Sequence, residues 1–187
     1  MLRHYYKERL KHALRFRTKR GYGVHSPYMF NLIMKVLRDK RSNQYHYPVF
    51  STNKNRDKKL LRLSYRIFSF MKPELVYISG VRSALLSKNI TTTNYTPDFS
   101  QIENCSILWF DTPHTHYSQK EFEQLEHWAT TTNGNHSILI TNINKDSKQR
   151  ELWLRLTPLA KVKVEMMWCG LLIFDTKLQV GSYHMLP

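Results

Sequence analysis

The 187-residue chain is predicted to fold as an α/β domain around a small parallel sheet, with helices before the sheet and an antiparallel meander after it. Two short apolar runs support this prediction. One is Leu75–Ser79, which lies between Pro73 and Gly80, and the other covers residues 106–111. Runs of this length next to helix breakers are typical of fully buried strands. Such strands, when they alternate with helices, form parallel sheets whose carboxyl ends hold ligands.

Three helices are predicted before the first strand. Residues 2–17 have apolar side chains at three- and four-residue spacing and a cationic opposite face. Ser26 and Pro27 suit the N-cap and the first position of a second helix, which we expect to run to about residue 40. Residues 56–71 form the third. The second helix is expected to bury Phe30, Ile33, Met34 and Leu37.

Strands and helices alternate after the first strand. Residues 81–88 suit one or two helical turns, and residues 89–103 have no strand pattern. Ser118 and Glu121 form a capping box for a helix, Ser137–Thr141 is a third apolar strand, and residues 147–156 form another helix. The last strands, which we expect to form the meander, cover residues 161–168, 171–175 and 180–186.

The length suits one compact unit, with residues 1–72 as a basic helical region packed on the sheet domain of residues 73–187. Lys and Arg number 29 against 14 Asp and Glu, which gives a net charge of +15. Such a charge suits an anionic partner such as nucleic acid, or it serves solubility. The candidate anion contacts are Arg3, Lys7, Lys11 and Arg15. The same helix could instead be a surface helix docked by its apolar stripe.

Tyrosines interleaved with Lys and Arg, such as Tyr45 and Tyr47, suit single-stranded nucleic acid or long side chains that lie over a core. The two cysteines, Cys105 and Cys169, do not make a disulfide framework, so a reduced cytoplasmic location is expected. No signal peptide is recognised, and no stretch approaches the roughly 20 apolar residues that span a bilayer.

Several motifs resemble a known family. Residues 21–28 read Gly-Tyr-Gly-Val-His-Ser-Pro-Tyr, Asp111 opens an Asp-x-x-His-x-x-Tyr stretch, and Trp153 precedes a Cys-Gly-Leu-Leu-Ile-Phe hairpin at residues 169–174. Together with a strand–helix alternation that ends in a hairpin, they resemble class I S-adenosylmethionine-dependent methyltransferases. The closer resemblance is to methyltransferase-like proteins of Bacteroidetes.

The resemblance implies a Rossmann-like fold with S-adenosylmethionine as cofactor. It places Ser79, Gly80 and Asp111 at the cofactor. It also implies a surrounding loop region that contains His25, His114, His116 and Tyr117. Asp111 and the two later histidines could bind a divalent metal, but no second acid is evident, so no metal is expected. His25 could simply order its turn, and His114 and His116 could cap the next helix.

The cofactor region departs from the family pattern. The loop after the first strand has one glycine, Gly80, and we expect Val81 and Arg82 to fill space that a cofactor needs. No acid is seen to follow a second strand, because Asp98 lies in a stretch without strand pattern. The segment between the two clear strands has room for about one crossover of roughly 30 residues. We therefore expect S-adenosylmethionine to bind weakly or not at all.

Three functions remain open from the sequence. The chain could be an active methyltransferase that acts on a small molecule or nucleic acid. It could keep the fold without the cofactor, as a binding or structural protein. It could also bind nucleic acid through its basic N-terminal half, which is compatible with the second function.

Overall fold

A computed structural model describes residues 26–38, 45–90, 93–112, 117–131 and 136–185. These residues form one seven-stranded mixed sheet with helices on both faces, in the strand order β2-β1-β3-β4-β6-β5-β7. The fold is compatible with a Rossmann-like α/β architecture. No helix within these ranges combines the length and the apolar character that crossing a membrane requires.

The centre of the sheet is the predicted parallel arrangement. Strand β1 (Leu75–Ser79) pairs in parallel with β3 (Ile107–Phe110), and β3 pairs in parallel with β4 (Ser137–Thr141). All residues of β3 and β4 are buried, as expected for strands covered on both faces. The indole of Trp109 in β3 donates a 3.0 Å hydrogen bond to the Ser64 hydroxyl, which satisfies both buried polar groups.

The segment between β1 and β3 contains a strand that the sequence did not predict. Strand β2 (Asn94–Thr96) pairs in parallel with β1 at the edge of the sheet. It is only three residues long and its first two residues are exposed, so it has no apolar run to recognise. The expectation of one crossover was therefore wrong. The segment holds two crossovers, from β1 to β2 and from β2 to β3, and each contains only one short helix. These are α3 (Ser83–Ser87) and a 3₁₀ helix (Phe99–Asn104).

The predicted C-terminal meander was only partly correct. Strands β5 (Val162–Met166) and β6 (Cys169–Ile173) form the expected antiparallel hairpin, and β6 lies antiparallel to β4. Strand β7 (Gly181–Met185), however, pairs with β5 in parallel. Burial explains the order, because all five residues of β6 are buried and suit an inner position, whereas β7 is half-exposed and suits the edge.

Two helices pack on one face before β1. Helix α1 (Pro27–Asn31) begins at Ser26, whose hydroxyl accepts a hydrogen bond from the Met29 amide, and continues as a π-helix over Leu32–Leu37. Its packed stripe differs from the predicted one, because Phe30 and Met34 are 42% and 37% exposed. Helix α2 (Asn55–Met71) follows close to its predicted bounds. The side chains that α1 and the π-helix bury are Met29, Leu32, Ile33, Val36 and Leu37.

The other face is covered by α4 (Gln119–Thr131) and α5 (Ser147–Leu156). The predicted capping box before α4 is confirmed, since Glu121 accepts from the Ser118 amide at 2.6 Å and Ser118 accepts from the Glu121 amide at 3.2 Å. A 3₁₀ turn (Thr157–Leu159) ends α5. The two helical layers leave the carboxyl-end edge of the parallel strands as the place to look for a site.

Candidate functional site

The strands β1, β3 and β4 end side by side at the carboxyl-end edge. Asp111 directly follows β3, and its amide donates a 3.0 Å hydrogen bond to the Ser79 carbonyl at the end of β1. Thr141 ends β4, and its hydroxyl is 2.6 Å from Asp111 Oδ1. The topology therefore brings together Ser79, Gly80 and Asp111, the three residues that the resemblance places at a cofactor.

Gly80 allows the loop after β1 to press against Asp111. Its φ of +103° is a conformation that favours glycine. A Cβ atom at this position would lie 2.6 Å from the Asp111 Cβ, so that one of the two segments would have to shift. The close approach therefore serves contact between two parts of the chain itself.

Arg82 occupies the centre of this edge. Its amide and its Nε donate to Asp111 Oδ2 at 2.8 and 2.9 Å, and its Nη2 donates to Asp111 Oδ1. Its Nη1 reaches Asp57 Oδ1 in the first turn of α2, at 2.6 Å. The side chain of Arg82 is 11% exposed and that of Asp111 is fully buried. Both oxygens of Asp111 are thus engaged by the protein itself.

The ionisation of this pair follows from its contacts. Burial opposes the charged form of Asp111, but the hydrogen bonds from Arg82 and Thr141 and the charge of Arg82 outweigh it, so the pKa of Asp111 lies below its ordinary value. Burial likewise opposes the charge of Arg82, but Asp111 and Asp57 outweigh it and raise the Arg82 pKa. Asp57, Arg82 and Asp111 form a buried ion cluster, which we call the Arg82 cluster.

Of the two side chains that we expected to fill cofactor space, only Arg82 points inward. Val81 is 59% exposed and faces solvent. Asp98, which the sequence placed outside any strand, follows β2 by two residues. Its carboxylate accepts a 2.9 Å hydrogen bond from the Ser100 amide and caps the 3₁₀ helix. The backbone hydrogen bond from Ser100 holds the pKa of this exposed carboxyl below its ordinary value.

Tyr117 is the one predicted loop residue among those that the structure describes. Its ring packs on Phe110 and Phe122, both at 5.7 Å, and its hydroxyl is 3.5 Å from Gln149 Oε1. Burial raises the pKa of Tyr117. Tyr117 therefore belongs to the packing of α4 on the sheet. The other predicted loop residues, His25, His114 and His116, lie outside the described residues, as do Arg3, Lys7, Lys11 and Arg15.

Among the described ranges, no group of three or more His, Cys, Asp or Glu side chains is arranged to hold a metal ion. Sequence reasoning missed three residues that complete the edge: Arg56, Asp57 and Asn142. Asn142 has a φ of +58°, accepts from Arg56 Nη2 and donates to the Thr112 hydroxyl. The only sequence signal was the Thr141–Asn142 pair at the end of an apolar strand.

No protein-family model matches the chain, and no curated protein and no solved structure matches it significantly.

Proposed function

We propose that this chain is a methyltransferase-like protein that has lost its cofactor and works as a non-catalytic binding protein for an anionic partner. The parallel alternation that leads into the β5–β6 hairpin supports the methyltransferase-like class. The net charge of +15 supports the anionic partner. The buried free thiols of Cys105 and Cys169 fit a reducing compartment such as the cytoplasm.

The observation that carries the loss of the cofactor is the Arg82 cluster. A cofactor at the carboxyl-end edge needs the backbone after β1 and the acid after β3 to be accessible. Here Arg82 covers that backbone and takes both oxygens of Asp111. Removing Arg82 from a buried Asp111 to admit a ligand would cost about 3–5 kcal/mol, the usual cost of leaving one partner of a buried pair uncompensated. That cost weakens any binding by roughly two to four orders of magnitude.

A second candidate is an active methyltransferase, and one observation favours it. Asp98 follows a parallel strand next to β1, which is where the resemblance places an acid for ribose hydroxyls. Its carboxylate is exposed and oriented by the Ser100 amide. Cofactor binding at this edge would also require the Arg82 side chain to move away from Asp111. The two candidates therefore differ in whether Arg82 stays on Asp111.

Isothermal titration with S-adenosylmethionine and S-adenosylhomocysteine separates the two candidates. The proposal expects no measurable heat up to about 1 mM ligand, which corresponds to binding weaker than about −4 kcal/mol. A dissociation constant near or below about 10 μM overturns it. Retention on a heparin column, with elution that shifts to higher salt than for a neutral protein of equal size, tests the anionic partner.

A further inference from the structure

A second group of cations lies next to the Arg82 cluster. Arg56, the second residue of α2, donates from Nη2 to Asn142, and its buried Nε has no hydrogen-bond partner in the described part of the chain. Burial and the nearby charge of Arg82 lower the pKa of Arg56, and the charges of Asp57 and Asp111 oppose this shift without reversing it. Arg82 makes the direct ion pairs with Asp57 and Asp111, whereas Arg56 interacts with these carboxylates only at longer range.

Two lysines extend this group toward solvent. Lys145 lies in the turn after β4, where burial and the charge of Arg56 lower its pKa. Lys59 lies one helical turn after Arg56, with its Nζ 5.4 Å from the ring centre of Trp168. Within the described ranges, no carboxylate lies within 4.0 Å of any of these three cations. Asp146, next to Lys145 in sequence, caps α5 instead.

Trp168 belongs to the same place because β6 is antiparallel to β4. Thr141 pairs with Cys169, so the residue before β6 lies beside the residue after β4. The Asn142 amide donates a 2.6 Å hydrogen bond to the Trp168 carbonyl. The indole is partly exposed. We call Arg56, Lys59, Lys145 and Trp168 the Arg56 cluster.

Charge bookkeeping for this edge favours an external anion. Arg56 and Arg82 balance the two carboxylates Asp57 and Asp111. The neighbouring Lys59 and Lys145 add two positive charges, and neither has an ion-pair partner in the described ranges. Guanidinium and ammonium groups beside an accessible aromatic ring are the combination with which proteins hold the phosphates and stacked bases of single strands.

We propose that the Arg56 cluster binds single-stranded nucleic acid, with Arg56, Lys59 and Lys145 on successive phosphates and Trp168 against a base. This inference rests on the proposed function and names its partner. The high net charge of the whole chain favours a polymer over a free phosphate, because a polyanion meets many cations at once. An unpaired base can reach the indole, whereas a base inside a duplex is already stacked.

Fluorescence anisotropy with labelled dT20 and U20 oligonucleotides tests the inference on the full chain. The double variant Lys59→Ala/Lys145→Ala removes two exposed cations from the cluster. Its control, Lys120→Ala/Lys177→Ala, removes two exposed lysines elsewhere, so both proteins carry the same net charge. Two lost phosphate contacts lower the salt slope by about 1.4 and the affinity at 0.1 M salt by about 25-fold, whereas the control stays within about threefold.

Trp168→Leu gives a second readout that charge alone does not move. A lost base stack weakens binding by about 5- to 150-fold, whereas Trp168→Phe keeps most of the affinity. Thermal melts of each variant confirm that it is folded. Equal losses in the two double variants, unchanged binding by Trp168→Leu, or binding only to anionic vesicles or free phosphate overturns the inference. Wild-type protein that is retained on heparin but binds neither oligonucleotide overturns the inference. It leaves the proposed function intact, because that function is tested by the heparin column and the cofactor titration.

Discussion

Replacing Arg82 with methionine is the sharpest test of the Arg82 cluster. Methionine keeps an apolar stem of similar length and removes the guanidinium donors to Asp111, while the amide of residue 82 and the Thr141 hydroxyl still donate to it. The Asp111 side chain is fully buried, so the variant leaves a buried carboxylate without its ion-pair partner. We expect a loss of about 3–5 kcal/mol in the free energy of unfolding. For a domain of this size that loss lowers the Tm by roughly 6–20 °C.

The assay is urea unfolding at pH 7 followed by circular dichroism, with Glu126→Gln as the control. Glu126 pairs with Arg155 at 2.6 Å, but these side chains are 37% and 30% exposed. Breaking this pair is expected to cost only about 0–1 kcal/mol, because solvent screens it. Arg82 and Arg155 both make ion pairs with an N–O distance of 2.6 Å. A difference in stability loss between the two variants therefore reflects the burial of the ion pair and not its N–O distance.

A double-mutant cycle completes the test. In Arg82→Met/Asp111→Asn the uncompensated charge is gone, so the double variant should be more stable than Arg82→Met alone. The coupling energy should be about 1–3 kcal/mol. If Arg82→Met costs less than about 1 kcal/mol, or if the two single effects simply add, the reasoning about a compensated buried pair fails.

Three further predictions follow from other contacts. Gly170→Ala should destabilise the domain by about 1–3 kcal/mol or more in urea unfolding, because its Cβ would lie 2.2 Å from the Trp153 ring; an unchanged midpoint contradicts this. The depressed pKa of Asp111 contributes stability that is present above its ordinary value of 3.8 and lost at lower pH, so wild type should lose stability more steeply than Asp111→Asn below about pH 4, and parallel curves contradict it. Burial raises the thiol pKa of Cys105 to about 11 and of Cys169 to about 12, so Ellman's reagent should titrate neither thiol until denaturant is added.

The sequence predicted the elements whose signal is local. The apolar runs of β1, β3 and β4 cannot face water, so they had to lie inside a sheet. The Ser118 capping box is likewise defined by side chains three residues apart. Strand β2 was missed because a short, half-exposed strand has a weak pattern. Strand β7 was predicted as a strand, but its parallel pairing with β5 was not, because the partner of an edge strand depends on tertiary context.

The candidate site could be predicted only in outline. Asp111 and Gly80 were found because each stands at the end of an apolar run. The role of Arg82 was predicted only as bulk in the loop, since its partner Asp57 lies 25 residues earlier, in the first turn of α2. Arg56 and Asn142, which are 86 residues apart, meet only because α2 begins beside the end of β4. Spacing in one sequence contains no information about such pairs.

The measurement that tests the account most directly is a crystal structure of the protein soaked in millimolar S-adenosylmethionine. The account predicts that Arg82 remains on Asp111 and Asp57, with no cofactor density at the ends of β1 and β3. Clear density for the cofactor there, with Arg82 displaced from Asp111, would contradict it and support the active methyltransferase.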